Sequence, residues 1–274
     1  MVARLGTFAA LNTAARVQAW SGSWRLAIWV SAVLMFVCFM LFFVYTGLDK
    51  RKEKYFVKEK LVGEDEKFVF KDVFAFRPSF WFVSLLCMTF YSAIFPFTAF
   101  STVFLQSKFG FSAIKGGFYS SLVITGTIIF TPLFGLVCDK IGKRATMMII
   151  GSLLLVPIHL SLGLTQFAPA LAMIILGISF SLVPAAMWPS IPIMVEEKRL
   201  GTAFGLMTLI QNAGLTLFNW VAGKLTDMAN GDYTHTIIMF ASLGFVGLVF
   251  ALLLKAAAKK ENVGIELPTS KAQI

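Results

Sequence analysis

Charge is what this 274-residue sequence has least of: Asp, Glu, Lys and Arg together make up 14% of it, and only 14 residues are acidic. Soluble globular chains carry about 25% charged residues, so an ordinary solvated surface is excluded. Histidine is nearly absent, with His159 and His235 standing far apart. The three cysteines, Cys38, Cys87 and Cys138, lie within or at the end of apolar stretches and show no metal-ligand spacing. Neither a metal centre nor a disulfide framework is indicated. Paired carboxylates are missing from the apolar stretches, so hydrolytic or phosphoryl-transfer chemistry lacks its acids and bases. No enzyme activity, cofactor or metal is expected.

What is present is apolar: 58% of the residues, with a mean hydropathy of +0.80. Charge disappears altogether from Leu26 to Leu48, Pro78 to Ser107, Gly116 to Cys138, Ala145 to Val195, Leu200 to Gly223 and Tyr233 to Leu254. A bilayer core of about 30 Å needs about 20 apolar residues of helix, so five of these stretches read as single spans. Ala145 to Val195 is too long for one span. It divides at Leu164-Thr165-Gln166-Phe167-Ala168-Pro169, where polarity and a helix-starting proline mark a turn. The expected fold class is an all-α polytopic membrane protein of six or seven spans. Pro184, Pro189 and Pro192 crowd one span and predict a kink or a locally unwound turn. Gly126, Gly135, Gly151, Gly177, Gly205, Gly214 and Gly247 are small positions of the kind through which helices pack in lipid.

The formal net charge is +10. In a soluble chain it would suggest nucleic acid, but no recognition module accompanies it, so no nucleic-acid partner is expected. Its distribution reads instead as topology. Alternate connections place 18 Lys and Arg residues on one side, and Arg16, Arg25, Lys108, Lys115 and Lys224 on the other. By the positive-inside bias the first side and the C-terminus are cytoplasmic, with the cell membrane as the expected location. Asp49 to Arg77 carries nine basic and seven acidic residues around Tyr55, Phe56, Phe68 and Phe70. It reads as a cytoplasmic linker, either a surface helix at the lipid headgroups or a solvated loop. A poorly ordered cytoplasmic tail is expected over 257–274.

The most informative run is Gly135-Leu136-Val137-Cys138-Asp139-Lys140-Ile141-Gly142-Lys143-Arg144, a turn between two spans. Gly135 suits a close approach of helices, Asp139 can accept from the N-terminal end of a neighbouring helix, and Gly142 allows a tight reversal. Lys143 and Arg144 can hold lipid phosphates or a partner carboxylate. An ordinary basic loop, with Asp139 as a simple helix cap, is the plainer alternative.

This run resembles the loop signature of the major facilitator superfamily, which in twelve-helix members lies between helices two and three and again between eight and nine. Following a long charged segment and two spans, it occupies the position of the second copy. Phe90-Tyr91-Ser92-Ala93-Ile94-Phe95-Pro96-Phe97, Phe109-Gly110-Phe111-Ser112, Met187-Trp188-Pro189, Leu200-Gly201-Thr202-Ala203-Phe204-Gly205 and Ile210-Gln211-Asn212-Ala213-Gly214 resemble the dipeptide-transporter branch of that superfamily. The resemblance implies a six-helix C-terminal half-bundle of the major facilitator fold over 78–256. A remnant of the N-terminal half, part of helix five and then helix six, would precede it over 1–48, with the linker at 49–77. The chain is thus expected to be a partial transporter whose partners are a small-molecule solute, membrane lipids and the missing N-terminal half. Alternating access of two rocking halves about a central site is the implied mechanism, with Gly135, Asp139, Gly142, Lys143 and Arg144 as an inside gate. Asp139 would pair with the cytoplasmic end of helix five or with the linker, holding the outward-open state. A non-transporting accessory or receptor-like membrane protein on the same fold is the competing class.

Polar stripes at helical spacing mark candidate cavity walls: Ser84, Tyr91 and Thr98 on one span, and Thr208, Asn212, Thr216 and Asn219, beside Gln211, on another. Interhelical packing explains Ser and Thr; large polar or aromatic groups near mid-span better suit a solute cavity, which selects Tyr91, Trp188, Gln211 and Asn212. The spans hold no Asp or Glu apart from Asp139 at a span's end. A proton-coupling carboxylate would therefore lie in the missing half, or transport is passive.

At the N-terminus, Leu5 to Ala15 is too short to span alone, and an amphipathic targeting segment is one reading of it. Read as the distal part of helix five, it puts Arg4 roughly 18 Å below Arg16, near mid-membrane, where a charge is costly and by default functional. Thr7 shares its helical face. Arg4-Leu5-Gly6-Thr7 also resembles the dipeptide-transporter branch, which makes Arg4 the expected bidentate holder of a solute carboxylate such as a peptide C-terminus.

Overall fold

The computed structural model describes residues 2–53, 75–166 and 168–272, and no strand occurs among them. Helix α1 (Val2–Ser21) ends at Gly22 in the left-handed region, φ 68°, and the chain reverses into α2 (Trp24–Glu53). Most of the expected linker, 49–77, lies outside the described residues; its first residues, 49–53, continue α2. Helix α3 (Pro78–Phe109) starts on a proline, whose missing N–H is one of the orphan donors of a first turn, and stops at Gly110, φ 66°. Ser112 caps α4 (Ala113–Ile141), its hydroxyl accepting from the Lys115 amide at 3.3 Å. The division within Ala145–Val195 falls between α5 (Arg144–Leu164) and α6 (Pro169–Met187).

The proline-rich span is interrupted as the sequence predicts. After Met187 the helix tightens into a single 3-10 turn, Trp188–Ser190, before the short α7 (Ile191–Met194). Proline removes amide donors and crowds the preceding turn, so the regular ladder cannot continue. Helices α8 (Leu200–Met228) and α9 (Thr234–Lys260) follow. Six of the described helices, α2 to α6 with the α7 extension and α9, are long and apolar enough to cross a membrane; α8 has the length, but its polar stripe keeps it less apolar.

Helix α3 is the most buried, with Phe80, Leu86, Phe90, Ile94 and Phe97 at the centre of the bundle. It packs on α8, α9 and α4, while α4 packs on α6, and α5 on α6 and α9. Small residues set the closest crossing: a Cβ on Gly177 of α6 would lie 2.5 Å from the Val123 carbonyl oxygen of α4, and one on Gly126 would lie 2.9 Å from Gly177 Cα. Hydroxyls add polar contacts between helices. Ser179 Oγ donates to the Gly151 carbonyl at 2.7 Å, and Ser101 Oγ to Ser120 Oγ at 2.8 Å. A Cβ added at Gly135 or Gly205 would meet nothing within 4 Å, so neither stands at a close crossing among the described helices. Helix α1 lies against α4, where a Cβ on Gly117 would sit 2.5 Å from the Leu11 carbonyl oxygen. Helix α2 touches α1 and leaves its apolar window unburied, with Trp29, Met35, Phe36 and Phe42 all exposed, a surface suited to lipid.

The tail departs from expectation. Helix α9 runs to Lys260, Asn262 turns the chain at φ 55°, and residues 263–268 cross the end of the bundle to a final helical turn, α10 (Thr269–Ala272). Ile265 is fully buried in the core cluster, and that anchor explains why this segment packs rather than trails.

Candidate functional site

Two groups of expected site residues are assembled in different places. The first lies near the middle of α3 and at α6 and the 3-10 turn that follows it. At the start of the 3-10 turn, Trp188 reaches α3, where its Nε1 donates to the Tyr91 hydroxyl at 2.9 Å, and its ring stacks on Phe204 of α8 at 6.1 Å. Tyr91 stacks on Phe95 one turn along, with centroids 5.4 Å apart and planes at 12°. Phe180 of α6 closes the group edge-on, 6.0 Å from Tyr91 and 5.4 Å from Phe95. Over these rings α1 lays Arg4, its guanidinium carbon 4.5 Å from the Phe180 centroid and 5.9 Å from that of Phe95.

Arg4, Tyr91 and Trp188 are thus brought together from three separate elements. Among the described residues no carboxylate pairs with Arg4. A cation at the centre of a bilayer costs about 2.5–3.5 kcal/mol on insertion scales. A desolvated aromatic face returns about 2 kcal/mol or more, but it accepts none of the N–H bonds that a carboxylate would take. The rings therefore hold the guanidinium without satisfying its donors, and the remaining demand is for an anion. Sequence reasoning did not select Phe95 or Phe180. Phe95 lies inside a recognisable word, but nothing distinguishes Phe180 from other phenylalanines in an apolar run.

Gln211 borders this group, with Cys87 Sγ, one turn before Tyr91, directed at its Oε1 over 3.7 Å. Asn212 and Thr7 are not drawn in. Both are exposed, and Asn212 Nδ2 donates to the Thr208 carbonyl on its own helix at 2.8 Å. Thr208, Thr216 and Asn219 likewise bond to carbonyls four residues back, the local solution for a polar side chain with no acceptor across a helix interface. Replacing Trp188 with Phe leaves the buried Tyr91 hydroxyl without its donor. A loss of about 1–3 kcal/mol in stability is expected, read as a lower thermal midpoint in detergent micelles.

The second group is the loop between α4 and α5. Gly142 takes φ 73° and Lys143 φ 53°, which makes the sharp reversal. Arg144, expected to meet lipid phosphate or a partner, is only 1% exposed. Its Nη1 donates to the Leu267 carbonyl at 2.9 Å and its Nη2 to Thr269 Oγ1 at 2.7 Å. Thr269 Oγ1 in turn donates to Asp139 Oδ1 at 2.9 Å. Among the described residues Asp139 thus meets the chain's own tail; the linker, its other expected partner, lies largely outside them. Lys143 is exposed, and its amide donates to the Glu266 carbonyl at 3.0 Å.

The pattern of the Major Facilitator Superfamily is matched over residues 5–189 and again over 98–272. The chain belongs to the Major Facilitator Superfamily. Curated relatives include the proteins named Lysosomal dipeptide transporter MFSD1 from Gallus gallus, 34% identical over 208 residues, and from Homo sapiens, 33% identical over 226 residues. These alignments cover 76% and 82% of this chain, and 46% and 47% of the relatives. The Mus musculus protein of the same name is 36% identical over 181 residues, 66% of this chain and 39% of the relative. This superfamily member spans about half the length of the curated relatives it matches. Across the superfamily the two halves of a transporter face each other around a midplane site, and here Arg4, Tyr91 and Trp188 converge near mid-span.

Proposed function

We propose that this chain works, together with the remaining half its relatives carry, as a transporter of small carboxylate-bearing solutes, dipeptides among them, by alternating access. The observation that carries the reading is Arg4, a part-buried guanidinium laid over Phe180 and Phe95 beside the Tyr91–Trp188 pair, with no carboxylate partner among the described residues. A solute carboxylate completes it through two parallel N–H···O bonds, and the aromatic walls take the solute's apolar part. Gln211 borders the same group from α8, beside Cys87. Asn212 and Thr7, exposed on α8 and α1, reach solute from the side that the other half closes. The relatives' names carry a dipeptide substrate, which agrees with an arginine reserved for a peptide C-terminus.

The bundle end that gathers the loop signature, Lys198, Arg199 and the tail faces the cytoplasm in this reading, by the positive-inside bias. A lysosomal location stands in the relatives' names, whereas the sequence reading favours the cell membrane; fractionation of cells expressing the complete protein separates the two.

Uptake into proteoliposomes holding the complete transporter tests the function. Dipeptides with a free C-terminus should enter and compete with one another, while C-terminally amidated dipeptides should compete at least tenfold less well. Equal competition by both would remove Arg4 as the carboxylate holder, and no uptake of any solute would leave the accessory-protein reading.

A further inference from the structure

We propose that residues 261–269 form a latch in cis: docked across the end of the bundle, they occupy Asp139 and Arg144 and must withdraw before the loop signature can engage anything else. This rests on the transport reading above for its consequence, although the latch itself is read from contacts alone.

Two carboxylates of the segment cap two different helices. Glu261 accepts from the Ser79 amide at 3.1 Å and the Ser79 hydroxyl at 2.6 Å, in the first turn of α3. Glu266 accepts from the Thr146 amide at 3.1 Å and the Thr146 hydroxyl at 2.9 Å, in the first turn of α5. Backbone carbonyls of Ile265 and Glu266 take the Arg144 and Lys143 amides at 3.3 and 3.0 Å. Helix starts leave four amides without intrahelical partners, so this segment satisfies donors that otherwise need water or another protein. Lys255 of α9 closes the set, donating to Thr146 Oγ1 at 2.8 Å with Glu266 Oε2 at 3.9 Å.

The fit depends on Gly142. A Cβ there would lie 2.4 Å from the Leu267 carbonyl carbon and 2.6 Å from the Glu266 carbonyl oxygen. These are backbone atoms of the segment, not the ends of flexible side chains, so a side chain at 142 and a docked segment exclude each other. Gly142 thus serves this contact as well as the reversal.

Occupancy makes the arrangement a switch rather than a permanent seam. Both terminal nitrogens of Arg144 are directed into the segment, and its Nε is buried without a partner. The same guanidinium swung outward offers a bidentate fork to a carboxylate or phosphate, so a better-satisfied alternative exists. The holding contacts at Asp139, Glu266 and Lys255 sit at the surface, where charged contacts are weak and local opening is easy. While the latch is docked, the loop cannot close onto the opposite half. Release therefore shifts the complete transporter toward the state closed on the basic side.

Hydrogen exchange of this chain in lipid nanodiscs tests the latch. In the unaltered protein the amides of Lys143, Arg144 and Thr146 should exchange slowly. Thr269→Ala combined with Glu266→Gln, and separately termination after Lys260, should speed them at least tenfold, while Thr269→Ser, which keeps the hydroxyl bridge, should exchange as the unaltered chain does. Unchanged protection in both disrupted forms would overturn the proposal. In the complete transporter, spin-label distances across the basic side should show the closed population rising at least threefold on termination after Lys260. Faster exchange with an unmoved population would make the segment a cap and nothing more, which also overturns the latch. A complete protein that carries no solute defeats the transport reading, while the distance and exchange results still decide this one.

Discussion

Arg4→Lys in the complete transporter should weaken binding of free-C-terminus dipeptides about tenfold or more, and Arg4→Ala should abolish the preference for free over amidated peptides. A guanidinium presents two parallel N–H donors to a carboxylate, and hydrogen bonds to charged groups contribute about 1.5–3 kcal/mol each. Losing one of the two therefore corresponds to roughly a tenfold change or more, since 1.4 kcal/mol is one decade. Lysine keeps the charge but delivers it as a point, and it stacks less well on Phe180, 4.5 Å below the guanidinium carbon of Arg4. Alanine removes both. The amidated peptide keeps its apolar contacts with Phe95 and Phe180, so its binding should change little in either variant. Competition assays over a concentration series give the two affinities separately. An Arg4→Ala transporter that still preferred the free peptide by tenfold would place carboxylate recognition elsewhere.

Most of the helical framework was legible in the sequence, because charge-free length is a strong signal and lipid enforces it. The turn at Leu164 to Pro169 and the break near Trp188 could both be read from proline and polarity. The meeting of Arg4, Tyr91 and Trp188 followed in part from the mid-span position of large polar groups. What could not be read is what depends on rotation of one helix against another. Asn212 follows Gln211 in sequence, yet a step of about 100° turns it out of the cluster, and no single-helix pattern fixes which of the two faces inward. The tail is the clearest instance. Its Ala, Lys and polar composition suggested disorder, but the segment is held by Ile265 in the core and by Glu261 and Glu266 on helix starts 182 and 120 residues away in sequence. Composition carries no trace of partners at that distance.

The glycines divide in the same way, and they yield the largest effect on stability. Seven were equivalent in the sequence, but only some stand at close crossings. Gly177→Leu should be severely destabilising, because even its first carbon would lie 2.5 Å from the Val123 carbonyl oxygen and 3.1 Å from Gly126 Cα, both backbone atoms. A flexible side chain can move aside, but two helix backbones part only along their whole length. Overpacking of a core costs about 1–3 kcal/mol, and here the hydroxyl contact of Ser181 to the Gly126 carbonyl, 3.3 Å across the same crossing, is lost with it. The α4–α6 seam also positions Phe180 beneath Arg4, so binding of free-C-terminus dipeptides should fall together with stability. Gly205→Leu is the matched control: nothing lies within 4 Å of its added carbon, and its effect should stay within about 0.5 kcal/mol. Thermal unfolding of both variants in the same detergent measures the difference directly. Equal midpoints for the two would show that α4 and α6 do not meet at Gly126 and Gly177.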